Sequence, residues 1–247
     1  MEHAIQCAVK TIREKYSEPL TLDELSSCAM VSKFHFLRTF RRITGVTPGR
    51  FLSAVRIHEA KILLLTTSLN VSDIGAQVGY GSTGSFTRRF SASVGCSPTQ
   101  YRNSSPGGEP PAAAPRMSLV AGDAGTRTEG TVSGRVEGPD VTGSGIYIGV
   151  FESPILEGPP AAHTALARPG GFHIGRVPPG DWYIHAMAQS ARPGDMTAPA
   201  RPLLSGSAGP VAVGPGADLG VRVTLRPLNW ANPPILFSPV EWSAHAS

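Results

Sequence analysis

Seven residues recur at a fixed displacement of fifty. Phe36, Arg38, Phe40, Gly45, Thr47, Pro48 and Phe51 return as Phe86, Arg88, Phe90, Gly95, Ser97, Pro98 and Tyr101. A repeat of this kind means one supersecondary unit built twice, so a fold for the first hundred residues must give both copies equivalent surroundings. Leu25 and Ile74 are displaced by 49, which gives the second copy a turn one residue longer.

The local signals read as helices. Ile5, Ala8, Val9, Ile12 and Tyr16 fall at helical spacing over residues 2–17, and Pro19 ends that run. Thr21-Leu22-Asp23-Glu24 fits a capping box with Leu20 and Leu25 as its staple, opening a helix to about Ala29. Met30-Val31 is the turn, and Ser32 caps the next helix. Thr47-Pro48 starts a longer one, since proline suits the first helical position. It runs to about Thr66, roughly 19 residues or ~28 Å at helical rise. Asn70 then caps a second short helix, with Leu69 and Ile74 where Leu20 and Leu25 stood. Two short helices around a tight turn make a helix-turn-helix. The sequence thus predicts two of them, joined by a rod comparable to the ~34 Å between successive major-groove openings on one face of B-DNA.

The helix after Ser32 has two faces. Phe36, Phe40 and Ile43 stack on one side as core, while Phe34, Leu37, Arg38 and Arg41 lie on the other with no acidic residue to balance them. Composition points the same way. Residues 1–105 hold 4 Lys and 9 Arg against 7 acidic residues, a net of +6, and the remainder carries −2. Prolines divide as 3 before position 105 and 20 after it, so a basic helical half precedes a turn-rich β half. Cys7, Cys28 and Cys96 show no C-x-x-C spacing and are expected to be free thiols. No apolar run reaches the ~18 residues of a membrane span. The sequence reading is therefore a cytoplasmic, nucleoid-associated protein with no membrane contact.

These residues carry a family resemblance. Leu25-Ser26-Ser27-Cys28-Ala29-Met30-Val31-Ser32, Phe36-x-Arg38-x-Phe40, Arg56-x-x-x-Ala60-x-x-Leu63-Leu64, Ile74-Gly75-x-x-Val78-Gly79-Tyr80 and Gly95-Cys96-Ser97-Pro98-x-x-Tyr101-Arg102 resemble the DNA-binding domain of the AraC/XylS transcription regulators over residues 5–102. The resemblance implies a seven-helix, all-α double helix-turn-helix that sets two recognition helices into adjacent major grooves of double-stranded DNA. Base-facing residues would be Phe34, Leu37 and Arg38 in the first unit, and Thr83, Gly84, Ser85 and Arg88 in the second. Lys33, Arg41, Arg42, Thr87 and Arg89 would face phosphate. Leu37 can meet only a thymine methyl or a sugar, and Gly84 has no side chain to read a base. The first unit is therefore expected to specify sequence while the second mainly holds phosphate through Arg88, Arg89 and its helix N-terminus.

Plainer readings stand beside these. Arg38 and Arg41 could be a solvated basic face, and Phe34 a core residue against the first helix. Arg56 either ties the two units together through an acidic partner or touches DNA. His35 and His58 read as structural or exposed. Gly79-Tyr80-Gly81-Ser82-Thr83-Gly84 matches G-x-G-x-x-G but bridges two helices rather than following a strand, and His58-Glu59 begins an H-E-x-x-H string that Ile62 breaks. No catalytic constellation, metal site or cofactor site emerges, and the chain reads as not an enzyme.

Residues 106–129 are rich in Pro, Gly and Ala and read as a linker. Strand-like runs follow at 131–136, 145–152, 171–174, 182–188 and 219–225, and the alternation Leu219-x-Val221-x-Val223-x-Leu225 suggests an antiparallel sandwich with one wet face. Gly171-Phe172-His173-Ile174 and Val177-Pro178-Pro179-Gly180-Asp181-Trp182-Tyr183 are similar to the transthyretin-like, carboxypeptidase-regulatory type of β-sandwich, here spanning 130–228. Trp182 and Tyr183 should face opposite ways, and His163, His173 and His185 read as structural or surface residues. The Pro/aromatic tail, 229–247, either packs back on the sandwich or offers Trp230, Phe237 and Trp242 to a partner. The sequence as a whole predicts a sequence-specific transcription regulator, with RNA polymerase as a further partner and a small ligand or protein at the sandwich. The alternative is an adaptor whose sandwich recruits a partner while the helices only localise it on DNA.

Overall fold

The computed structural model describes residues 2–103, 129–139, 145–189 and 202–237; the expected linker and Trp242 lie outside them. The chain forms two compact units. One holds the helices together with Ile155–Gly158 and residues 229–237, and the other holds the strands.

Among the described residues the first unit has seven helices: α1 (Glu2–Glu14), α2 (Leu22–Cys28), α3 (Lys33–Thr44), α4 (Pro48–Thr66), α5 (Val71–Gln77), α6 (Thr83–Val94) and α7 (Pro98–Asn103). Their ends lie where the capping chemistry puts them. The Thr21 hydroxyl accepts from the Glu24 N–H while the Glu24 carboxylate accepts from the Thr21 N–H, closing the capping box of α2. Ser32, Thr47, Asn70 and Ser82 cap α3, α4, α5 and α6 by the same side-chain-to-backbone bond. One core joins the helices, with Ile5, Ile12, Phe36, Phe40, Phe51, Ile57, Leu64, Ile74, Phe86 and Phe90 fully buried.

Among the described residues the second unit has eight strands: β1 (Gly130–Glu137), β2 (Ile146–Phe151), β3 (Ala162–Leu166), β4 (Gly170–Val177), β5 (Gly180–Gln189), β6 (Pro202–Val213), β7 (Asp218–Thr224) and β8 (Arg226–Pro227). They form a three-stranded sheet, β4-β1-β7, and a five-stranded sheet, β3-β2-β5-β6-β8. Both sheets feed one apolar cluster, to which Val132, Phe172, Ile174 and Val223 come from the first and Ile148, Val150, Trp182, Ile184 and Leu204 from the second. Trp182 is buried and Tyr183 only partly so.

Three features differ from the sequence reading. The β1–β7 pair is parallel, with Val132 beside Leu219 and Val136 beside Val223, so the sheets are not purely antiparallel. Alternation decides which face of a strand is buried and carries no information about its direction. Strands β3, β6 and β8 were not expected; β6 contains Gly206, Gly209 and Pro210, residues that ordinarily break a strand. The described part of the tail belongs with the helices. Residues 229–237 belong to the helical unit, where Leu236 is fully buried and Trp230 packs against the core, burying apolar surface that solvent would otherwise meet.

Candidate nucleic-acid interface

The fifty-residue repeat is a repeat of geometry. Phe36 and Phe40 meet with ring centroids 5.6 Å apart at 54°, and Phe86 and Phe90 do so at 5.7 Å and 61°. Phe40 then meets Phe51 edge-on at 5.8 Å, as Phe90 meets Tyr101 at 5.6 Å. Each pair of rings fixes a twelve-residue helix, α3 or α6, against the helix that follows it.

The turns before α3 and α6 reach the left-handed region by different means. Met30 adopts φ 52° in the first and Gly79 φ 90° in the second. At Gly79 a β-carbon would also come within 2.7 Å of the Ser17 carbonyl and 2.9 Å of the Arg56 guanidinium, so both backbone angle and space demand glycine. Arg56 itself donates to the carbonyls of Tyr16 at 2.7 Å and Glu18 at 2.9 Å, and lies 5.8 Å over the Tyr80 ring. It ties the segment after α1 to the turn before α6 through carbonyls, where one of the two sequence readings has an acidic partner and the other DNA.

On α3, Lys33, Phe34, Arg38, Arg41 and Arg42 are exposed and Leu37 is half-buried. Phe34 is 77 % exposed, which removes it from the core. Lys33 pairs with Asp23 of α2. Among the described residues no carboxylate pairs with Arg38, Arg41, Arg42 or Arg88. A row of unneutralised guanidiniums beside an exposed ring suits a polyanion more than bulk water.

On α6, Thr83, Gly84, Ser85 and Arg88 are exposed and Thr87 is half-buried. Two of these polar side chains are already engaged. The Thr83 hydroxyl lies 2.8 Å from that of Ser72, and the Ser85 hydroxyl accepts from Ser82 at 3.0 Å. Arg89, expected at phosphate, turns inward, its Nε donating to the Ser53 hydroxyl at 2.8 Å and its terminal nitrogen to Glu157 at 2.9 Å. An arginine shared between a hydroxyl and a buried carboxylate is held by charge-assisted bonds. Sequence reasoning passed over Glu157, although a lone acid in Pro154-Ile155-Leu156-Glu157-Gly158-Pro159 is conspicuous, because burial rarely accepts an unpaired carboxylate.

No three His, Cys, Asp or Glu side chains gather as a metal site among the described residues. Cys7 and Cys96 are free thiols. No described helix is long and apolar enough to cross a membrane.

A family model described as a helix-turn-helix domain matches residues 25–104. The HTH-type transcriptional activator AarP of Providencia stuartii is 40% identical over 88 residues, 36% of this chain and 65% of that protein. The lactose operon transcription activator of Staphylococcus xylosus is 30% identical over 99 residues, 40% of this chain and 36% of that protein. The match therefore spans less than two thirds of either relative's length. The DNA-binding domain of AdpA, a global transcriptional factor solved in complex with a target DNA, is 29% identical over 38% of this chain and 86% of that one, with a TM-score of 0.37. Over residues 25–104 the chain is thus similar to helix-turn-helix domains, and the two relatives named are transcription activators.

Proposed function

We propose that this protein is a sequence-specific transcription regulator that binds double-stranded DNA, with α3 and α6 as recognition helices in adjacent major grooves. The observation that carries the reading is the repeated phenylalanine frame, which presents Arg38 and Arg88 at equivalent positions of two exposed helix faces, with no carboxylate paired to either among the described residues. Phe34, Leu37 and Arg38 read base edges, while Lys33, Arg41 and Arg42 hold phosphate and fix register. Thr83, Ser85, Thr87 and Arg88 work mostly on the backbone, since hydroxyls spent on local hydrogen bonds have less to offer a base.

The β unit acts as a sensor or partner-binding module for a small ligand or a protein, and RNA polymerase is a further partner of the chain. The core shared by its two sheets supports a sandwich of the transthyretin-like type. No chemistry is assigned to the chain. Selection of bound sequences from a random duplex pool by the full chain tests the proposal. The expected product is an enriched site with a strongly selected half under α3 and a weakly selected half about one helical turn away under α6. Uniform recovery of all sequences would refute specific recognition.

A further inference from the structure

Glu157 carries a carboxylate only 6 % exposed. It accepts from the Arg89 guanidinium at 2.9 Å and the Ser93 hydroxyl at 3.0 Å, both on α6, and from Arg50 in the first turn of α4 at 3.4 Å. The segment around it is fixed at several points within the helical unit. Ile155 is fully buried in the helical core. The Gly158 N–H donates to the Ser93 carbonyl at 2.6 Å, one of the acceptors that the end of α6 leaves open. The Leu156 carbonyl accepts from the N–H groups of Leu236 and Phe237, each at 3.0 Å.

Arg50 and Arg89 come from different helices and share one anion. Without it, two guanidiniums would face each other at the junction of α4 and α6, and like charges in a partly dried space repel strongly. Arg89 also bonds Ser53 of α4, so the acid and the hydroxyl together hold one arginine in a single geometry. Removing a buried carboxylate that several donors share costs more than breaking a surface pair, because the donors are left without their counter-charge.

We infer that Glu157 is a positioning residue for α6: from far along the chain it locks the second helix pair onto α4 and so sets where that recognition helix lies. The segment follows the end of β2 at Phe151, so the lock is covalently continuous with the β unit. The inference rests on α6 being a recognition helix only in its consequence for DNA, and its structural half stands alone.

The test uses the full chain with Glu157→Gln, Glu157→Asp and Ser93→Ala. Backbone hydrogen exchange is read in α3 and α6, and binding is read on a selected site with both halves intact or with either half scrambled. With Glu157→Gln, α6 amides should exchange about tenfold faster while α3 is unchanged. Affinity for the intact site should fall about tenfold, with little further loss once the second half is scrambled. Glu157→Asp should recover part of the loss, and Ser93→Ala should move α6 the same way by less. Unchanged α6 exchange in Glu157→Gln and Ser93→Ala would overturn the inference, as would equal loosening of α3 and α6. A rise in affinity for all DNA would overturn it too, by making Glu157 a shield over Arg89. Should Glu157→Gln fail to fold, Ser93→Ala decides. Should the unaltered protein select no sequence, the DNA-binding reading fails and the exchange data still judge the lock.

Discussion

Gly45 and Gly95, fifty residues apart, leave α3 and α6 in the same left-handed conformation, φ 78° and 90°, and each returns its N–H to the carbonyl four residues earlier, Arg41 at 2.8 Å and Ser91 at 2.9 Å. A β-carbon at either position would meet nothing within 4 Å. The cost of alanine there is therefore conformational, about 1 to 2 kcal/mol, and should be alike at the two sites. Gly84 has the same open space but lies inside α6, so Gly84→Ala should stabilise by up to about 1 kcal/mol. Denaturant midpoints of the three variants check this. Unequal costs at Gly45 and Gly95 would mean the two helix ends are not equivalent.

Arg38 and Arg42 lie on the same helix, both exposed, but should fail differently. On the proposed assignment Arg38→Ala removes a base-facing guanidinium, which should cost on the order of 1 to 3 kcal/mol and relax one position of the site. On the same assignment Arg42→Ala removes a phosphate contact, so binding to all sequences should weaken together and the salt slope should drop by about one. Titrations on selected and scrambled duplexes at several salt concentrations separate the two. Identical behaviour would leave the division between reading and holding without support.

The helices themselves were legible because local signals decide most of the helical half. A serine before a helix, a proline at its first position and phenylalanines four apart act over a few residues, and Thr21-Glu24, Ser32 and Thr47-Pro48 each open a helix in the structure. What escaped is non-local. Glu157 meets Arg89 across 68 positions of chain and Lys61 meets the Leu236 carbonyl across 175, and no periodicity reports such pairings. The same holds for β6, whose Gly and Pro argue against a strand until β5 and β8 pair with it on either side.

His185 in β5 places its Nε2 2.9 Å from the Ser153 carbonyl, with the Phe151 ring edge-on at 5.5 Å. Burial pushes its imidazole below the ordinary 6.5, and the bond to Ser153 only partly opposes this. A base with a depressed folded pKa contributes stability that is present above about 6.5 and is lost as pH falls through the folded value. The β unit should therefore lose stability on acidification below pH 6.5, by at most about 1.4 kcal/mol per pH unit from this residue. His185→Gln should flatten that part of the curve, read as the unfolding midpoint between pH 7 and 5. An unaltered slope in the variant would assign the acid sensitivity elsewhere.

Lys61 in α4 poses the opposite question at alkaline pH. Its Nζ donates to the Leu236 carbonyl at 2.8 Å and lies 5.5 Å over the Tyr101 ring, contacts that favour the ammonium. Burial outweighs them and lowers its pKa from 10.5 to about 8, with nearby Cys96 pulling the other way, because drying a point charge costs more than one carbonyl returns. Between about pH 8 and 10.5 the unfolded chain holds this proton and the folded one releases it, so stability should rise with pH. Two neighbours oppose the gain higher up. Burial raises the Cys96 thiol above 9.0, and it pushes the Tyr101 hydroxyl from 10.0 up to about 12. Both groups therefore withdraw stability as pH climbs beyond their unfolded values. The window in which Lys61 acts alone is about pH 8 to 9. There the midpoint of the unaltered protein should rise relative to that of Lys61→Met, and parallel curves would show that another group governs the alkaline limb.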